Sequence, residues 1–182
     1  MRRELVEYSK FLSLVLRHDP AVIGIQLDEA GWVEVSTLLE AMQSRRPQFT
    51  RDMLQEIVET NDKRRFAFSE DQVRIRASQG HSIGVDLALI PSIPPDLLFH
   101  GTAITNLTAI RENGLLRGKR DYVHLSVDDE TAKRVGARHG RPIVLQISGK
   151  KMAEAGFSFF VSENGVWLTA HVPSQFIEFP EN

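Results

Sequence analysis

Three closely spaced prolines, Pro91, Pro94 and Pro95, set the strongest constraint on how this chain can fold. Proline fixes φ and lacks a backbone N–H, so a Pro-Pro pair fits neither a helix interior nor a central strand. The hydrophobic pattern changes across the same stretch, from mainly helical periodicity ahead of it to short alternating runs behind it. Residues 78–96 therefore read as a connection, and two domains are expected, 1–90 and 91–182. With 182 residues, 42% of them hydrophobic, the chain can form two small packed cores.

In the first half, Leu5, Tyr8, Phe11, Leu12, Val15 and Leu16 recur at spacings of three and four, which predicts an amphipathic helix over 5–16. Pro20 stops it, because the residue before a proline avoids helical angles. Residues 25–27 and 32–35 alternate around a turn at 28–31. Ser36 is the expected N-cap of a helix over 37–43. Thr50 is the expected cap of a third helix, which carries Met53, Leu54, Ile57 and Val58 and ends at Asn61-Asp62. Strands at 65–69 and 73–77 close the half as a hairpin. Three helices followed by a hairpin predict a winged-helix lobe.

The second half alternates strand and helix patterns. Strands are expected at 97–100, 122–126, 142–147, 157–161, 166–169 and 176–179. Helices are expected at 106–113, ended by Gly114, at 128–138 and at 150–155. Several short strands with small helices predict an α+β fold rather than a doubly wound nucleotide fold.

Several chemistries are excluded by what is missing. There is no cysteine, hence no disulfide, no thiolate metal site and no cysteine nucleophile. The phosphate loop Gly-x-x-x-x-Gly-Lys-Ser/Thr, the dinucleotide fingerprint Gly-x-Gly-x-x-Gly, the zinc motif His-Glu-x-x-His and the hydrolase elbow Gly-x-Ser-x-Gly do not occur. The six histidines are scattered, and no metal is expected. Leu12 to Leu16 is too short to span a bilayer, and nothing resembles a signal peptide, so the expected location is the cytoplasm, with no membrane partner. Net charge is −2, and the first ninety residues carry slightly more Asp and Glu than Lys and Arg. Contact with nucleic acid must then come from a local cluster, with few phosphates and a shallow salt dependence.

What remains is a series of short cationic and histidine-bearing motifs. In Leu16-Arg17-His18-Asp19-Pro20, Arg17 and His18 fall at a helix C-terminus, where the dipole favours cations by about 0.3–1 kcal/mol each. They either simply cap the helix or form an anion site from a planar fork and a titratable imidazole. In Asn61-Asp62-Lys63-Arg64-Arg65-Phe66, strand alternation sends Arg65 and Phe66 to opposite faces, so a buried Phe66 turns Arg65 outward. Gln79-Gly80-His81-Ser82 suits a ligand loop. His100-Gly101-Thr102 leaves an apolar strand, and the glycine admits a flat amide ligand to the backbone. His124 and Ser126 share one strand face. Arg138 and His139 close a helix between glycines. Asn164-Gly165 marks a turn before Val166-Trp167-Leu168-Thr169.

Taken in order, these fragments resemble the RNA 2′-phosphotransferase family. The resemblance runs from about residue 9 to 173, through Leu16-Arg17-His18, Gly31-Trp32, Arg65-Phe66, Gln79-Gly80-His81-Ser82, His100-Gly101-Thr102, His124-Leu125-Ser126, Arg138-His139-Gly140 and Ser162 to Thr169. It implies a winged-helix RNA-binding lobe over 1–90 and an ADP-ribosyltransferase-like NAD-binding lobe over 91–182. NAD is the implied co-substrate, 2′-phosphorylated RNA the implied partner, and a monomer the expected state. The family's catalytic Arg-His-Arg-Arg set maps onto Arg17, His18, Arg65 and Arg138. Cofactor contacts map onto His100, Gly101, Thr102, His124, Ser126 and Val166. The His-Tyr-Glu triad of ADP-ribosyltransferases is similar to His100, His124 and Val166, with an apolar residue in place of the glutamate.

The implied reaction has two steps. The RNA 2′-phosphate displaces nicotinamide at C1″ of NAD, and the ribose 2″-hydroxyl then attacks that phosphate. Repaired RNA and ADP-ribose 1″–2″ cyclic phosphate are released. Two rival functions share some of these features: ADP-ribosylation of nucleic-acid terminal phosphates, and a non-enzymatic winged-helix regulator with a nucleotide-binding lobe. The second is opposed by the helix expected after Thr50, in which Arg51 stands against Asp52, Glu56 and Glu59.

Overall fold

The computed structural model describes residues 3–61 and 63–180. The chain divides into two units, Met1–Ala88 and Leu89–Asn182. Both mix helices with small antiparallel sheets.

The first unit begins with helix α1, Arg3–Arg17, whose apolar stripe buries Leu5, Leu12 and Leu16. Pro20 starts a 3₁₀ turn, Pro20–Ile23, which ends on Gly24 at φ +75°. Strand β1 is short, Val33–Glu34, and runs directly into helix α2, Val35–Arg45. Helix α3, Arg51–Glu59, follows, then β2, Phe66–Phe68, and β3, Arg74–Ala77. The sheet order is β1-β3-β2, with Val33 opposite Ile75 and Phe66 opposite Ala77. Leu38, Met42, Phe49, Leu54, Ile57 and Ile75 fill the space between sheet and helices.

Local chemistry accounts for most of these boundaries. Thr50 caps α3 by accepting the Met53 N–H at 3.2 Å, as its sequence position predicts. Ser36 does not cap α2. That helix starts at Val35, whose N–H is taken by the Val73 carbonyl at 2.8 Å, so strand pairing hands over directly to helix. Ser36 Oγ lies 3.5 Å from Glu34 Oε2 instead. Residues 25–27 form no strand, and Val35 is helical. Helix α3 ends at Glu59 with Thr60 as its cap, while Asp62, expected at that end, lies outside the described residues.

The second unit is built on β4, Leu97–Ala103, paired along its whole length with β7, Pro142–Ser148; β11, Ile177–Glu178, lies on the other side of β7. A second sheet holds β6, Val123–Leu125, β9, Trp167–Thr169, and β8, Phe159–Val161, in the order β6-β9-β8. The two sheets are joined where Phe99 and Ser126 exchange backbone hydrogen bonds, both 2.8 Å. Strands β5, Leu115–Leu116, and β10, His171–Val172, form a small pair not foreseen from the sequence. Helices α4, Leu107–Asn113, α5, Asp129–Gly136, and α6, Gly149–Glu154, complete the unit.

Strand β4 is longer than its apolar pattern predicts. Gly101 and Thr102 continue it, opposite Val144 and Ile143, instead of leaving it. The reason is α5, which packs on this end of β4. A Cβ on Gly101 would run into the Ala132 carbonyl, and one on Gly136 would sit 2.8 Å from the Thr102 carbonyl oxygen. Two glycines thus let helix and strand backbones touch.

Candidate functional site

In the first unit the C-terminus of α1 and the start of β2 meet at a polar cluster. Arg17 is the last residue of α1, half-buried, and its Nη2 donates to the Arg65 carbonyl at 3.2 Å. Its guanidinium also lies 6.0 Å from the centroid of the Phe66 ring. Arg65 stands just ahead of β2 rather than inside it, because the strand ladder begins at Phe66. Alternation holds at that point: Phe66 is buried, and Arg65 is half-exposed with its Nη1 donating to Asn61 Oδ1 at 3.2 Å. His18 is exposed, and its Nδ1 is 2.8 Å from Ser82 Oγ. The Ser82 N–H donates to the Arg17 carbonyl at 2.9 Å, meeting one of the acceptors a helix end leaves open.

His81 sits behind this cluster, only 1% exposed. Burial first, then the Arg17 guanidinium, His18 and Arg76, push its pKa down to about 4, so it is neutral near pH 7. Its ring packs toward Gly31, where φ is +79° and a Cβ would come 3.5 Å from Nε2. Arg76 stacks 4.4 Å from the Trp32 ring centroid. The arrangement gathers cations and one exposed imidazole around neutral, buried support, which suits an anion rather than a metal. No group of three metal-ligating side chains occurs among the described residues.

In the second unit the structure brings His100 and His124 together. His100 Nδ1 is 3.0 Å from the His124 carbonyl oxygen. A carbonyl only accepts, so Nδ1 carries the proton and the neutral ring leaves Nε2 as an acceptor. Burial holds His100 below the usual histidine range; the bond to the His124 carbonyl opposes that, and Arg120 and His139 add to it. His124 has the opposite polarity. Arg120 Nη1 lies 2.7 Å from His124 Nδ1, and a guanidinium only donates, so Nδ1 accepts and Nε2 carries the proton.

The remaining expected residues are placed as follows. Gly101 serves the contact with α5. Thr102 is buried, with its Oγ1 accepting from Asn106 Nδ2 at 3.1 Å. Ser126 holds the junction between the sheets through its backbone. Val166 lies just before β9, its N–H donating to Ser162 Oγ at 3.1 Å and its carbonyl accepting the Ser162 N–H at 3.0 Å. Arg138 is exposed and lies two residues beyond the end of α5, in a turn where its N–H donates to the Val135 carbonyl at 3.2 Å. Helix α5 stops at Gly136, earlier than the pattern predicts, where the chain meets the backbone of β4. Sequence reasoning passed over Arg120, a loop arginine whose only signal is its place four residues before His124. It marked Ser82 and His81 as a loop without assigning either a part.

Residues 3–171 match the family model described as RNA 2′-phosphotransferase, Tpt1 / KptA family. The chain is 50% identical to a protein of Rhodopirellula baltica over 98% of its own length and 97% of that protein's. It is 54% identical to one of Streptomyces coelicolor, over 96% and 95%. It is 49% identical to one of Acaryochloris marina, over 97% of each chain. Each of these relatives bears the name "Probable RNA 2′-phosphotransferase". The fold is that of a two-unit α+β protein with small antiparallel sheets. The chain belongs to the RNA 2′-phosphotransferase family.

Proposed function

We propose that this protein is an NAD-dependent RNA 2′-phosphotransferase, which removes an internal RNA 2′-phosphate through an ADP-ribosylated RNA intermediate. The observation that carries the reading is the contact of the Arg17 guanidinium with the Arg65 backbone, beside His18 held by Ser82, in a chain that matches its family over nearly its whole length. The order helix, strand, two helices and hairpin supports a winged-helix RNA-binding role for the first unit. The two three-stranded sheets joined at Phe99 and Ser126 support an ADP-ribosyltransferase-like role for the second.

NAD is a co-substrate here, and it supplies an electrophilic ribose C1″. The donor set fits such a ligand. His100 offers an acceptor and His124 a donor. Val166 in place of a carboxylate is consistent with the chemistry. A phosphate is already anionic near pH 7, so the first step needs no general base. In the second step charge builds on a phosphodiester, which Arg17 and Arg65 stabilise with bidentate hydrogen bonds. Arg138 is the remaining guanidinium the family resemblance assigns to that phosphate. His18 gives a proton to the departing RNA 2′-oxygen, a role typically worth about 10²–10⁴-fold.

The major-groove alternative gains nothing from α3. Arg51 lies 5.8 Å from the Phe68 ring centroid and donates to the Gln72 carbonyl at 3.2 Å, within its own unit.

The test is incubation with NAD and a 2′-phosphorylated RNA, following nicotinamide release, ADP-ribosylated RNA and the cyclic phosphate separately. The native protein is expected to yield all products. Ala variants of Arg17, His18, Arg65 and Arg138 are expected to accumulate ADP-ribosylated RNA. Loss of nicotinamide release with no intermediate overturns this division of labour. A stable ADP-ribosyl adduct as the native end product overturns the phosphotransferase reading itself.

A further inference from the structure

We propose that Ser82 is a positioning residue for the second chemical step: its hydroxyl fixes the His18 imidazole by holding Nδ1, which leaves Nε2–H as the transferable proton. The inference rests on the reading of His18 as general acid. Its structural basis is a double contact. Ser82 Oγ lies 2.8 Å from His18 Nδ1, and the Ser82 N–H donates to the carbonyl of Arg17, the preceding residue, at 2.9 Å. One residue therefore ties down both the helix end that carries the site and the imidazole on it.

The need for such a tie follows from where His18 sits. It lies past the last turn of α1, its side chain is exposed, and Asp19 and Pro20 lead the chain away into a 3₁₀ turn. An exposed histidine ring visits several rotamers, and a general acid must lie within hydrogen-bond reach of the leaving oxygen. In the acid form both ring nitrogens carry protons. Nδ1–H then donates to Ser82 Oγ, and the ring can deliver only the proton on Nε2. The segment that carries Ser82 is itself held, because His81 beside it is buried against Gly31.

Ser82→Ala removes the hydroxyl and keeps the backbone bond to Arg17, and Ser82→Thr keeps both. If Ser82 acts through His18, Ser82→Ala leaves nicotinamide release and RNA binding unchanged and slows decay of ADP-ribosylated RNA roughly ten- to a hundred-fold, the scale on which small misplacements act. Ser82→Thr restores the rate, and adding Ser82→Ala to His18→Ala costs nothing further. The proposal is overturned if the two substitutions multiply, or if Ser82→Ala slows both steps equally. A separate readout is the Nδ1–H resonance of protonated His18 in acidic solution. It is expected to be shielded from solvent exchange in the native protein and in Ser82→Thr, and to be lost in Ser82→Ala. If His18→Ala itself releases RNA normally, the general-acid reading fails. The resonance then decides the Ser82 contact alone, and a signal that survives in Ser82→Ala overturns it.

Discussion

The two units present their histidines in opposite ways. In the first, His18 is exposed at a helix end and held by a neutral hydroxyl. In the second, His100 is half-buried and donates its Nδ1 proton to a carbonyl, while His124 takes a hydrogen bond from a guanidinium. A hydroxyl both donates and accepts, so it tolerates a ring that gains and loses a proton. A carbonyl keeps Nδ1 protonated in both charge states of the ring and a guanidinium keeps Nδ1 as an acceptor, so each fixes one tautomer of the neutral ring. The first environment suits proton transfer and the second suits recognition by a ligand's donors and acceptors.

The largest expected test of this contrast is Gly101→Ala. If rigid backbone contact with α5 sets the second unit's fixed geometry, the added methyl has no side chain to push aside. The expected cost is more than about 3 kcal/mol. Amide protection in β4 and α5 is expected to collapse while α1 keeps its own; an unchanged melting temperature breaks the argument.

Next comes acid stability. His81 titrates at about 4 when folded, while an unfolded histidine titrates near 6.5. The unfolded chain therefore binds more protons between these values. Stability is complete above pH 6.5 and falls as pH drops toward 4, by about 3 kcal/mol in total. Denaturant titrations of His81→Phe should lose most of that dependence. A slope of the same sign is expected to remain from His100, whose pKa is also depressed.

Helix caps give a finer comparison. Thr50→Ala in the first unit and Asp128→Ala in the second each remove an N-cap, at a cost of about 1 kcal/mol. Asp128, which accepts the Thr131 N–H at 2.7 Å, adds a charge that favours the helix N-terminus and should cost the more. Ser36→Ala is expected to change unfolding free energy by less than about 0.5 kcal/mol, since Ser36 caps nothing. A comparably small effect is expected from Arg120→Leu, below about 0.5 kcal/mol in stability because the pair is exposed. Its signature is instead in the imidazole nitrogen shifts of His124, which should move from one tautomer to a mixture.

Helices with clear periodicity, such as α1, and caps with the right hydroxyl, such as Thr50, were legible in the sequence because short-range physics decides them. Arg17, His18 and Arg65 could be singled out by their positions at element ends. Strand lengths were harder to read. Whether β4 stops at His100 or runs to Ala103 depends on α5, some thirty residues away in the chain, and local pattern carries no trace of that contact. The short pair β5 and β10 went unseen for the same reason, since two-residue strands have no period to detect. Arg120 was missed because one arginine in a basic loop looks like any other until its partner is placed.

The Arg65 carbonyl accepts two hydrogen bonds, from the Arg17 guanidinium at 3.2 Å and from the Ser78 N–H at 2.9 Å. The end of α1, the start of β2 and the end of β3 therefore share one atom as an anchor. Breathing of the hairpin cannot leave the helix end undisturbed. Local opening of this region should be cooperative, with the amides around Arg17 and Ser78 exchanging at matched rates. The site would then be lost or kept as a whole, and substitutions in the hairpin far from any phosphate should register in the population of molecules able to react.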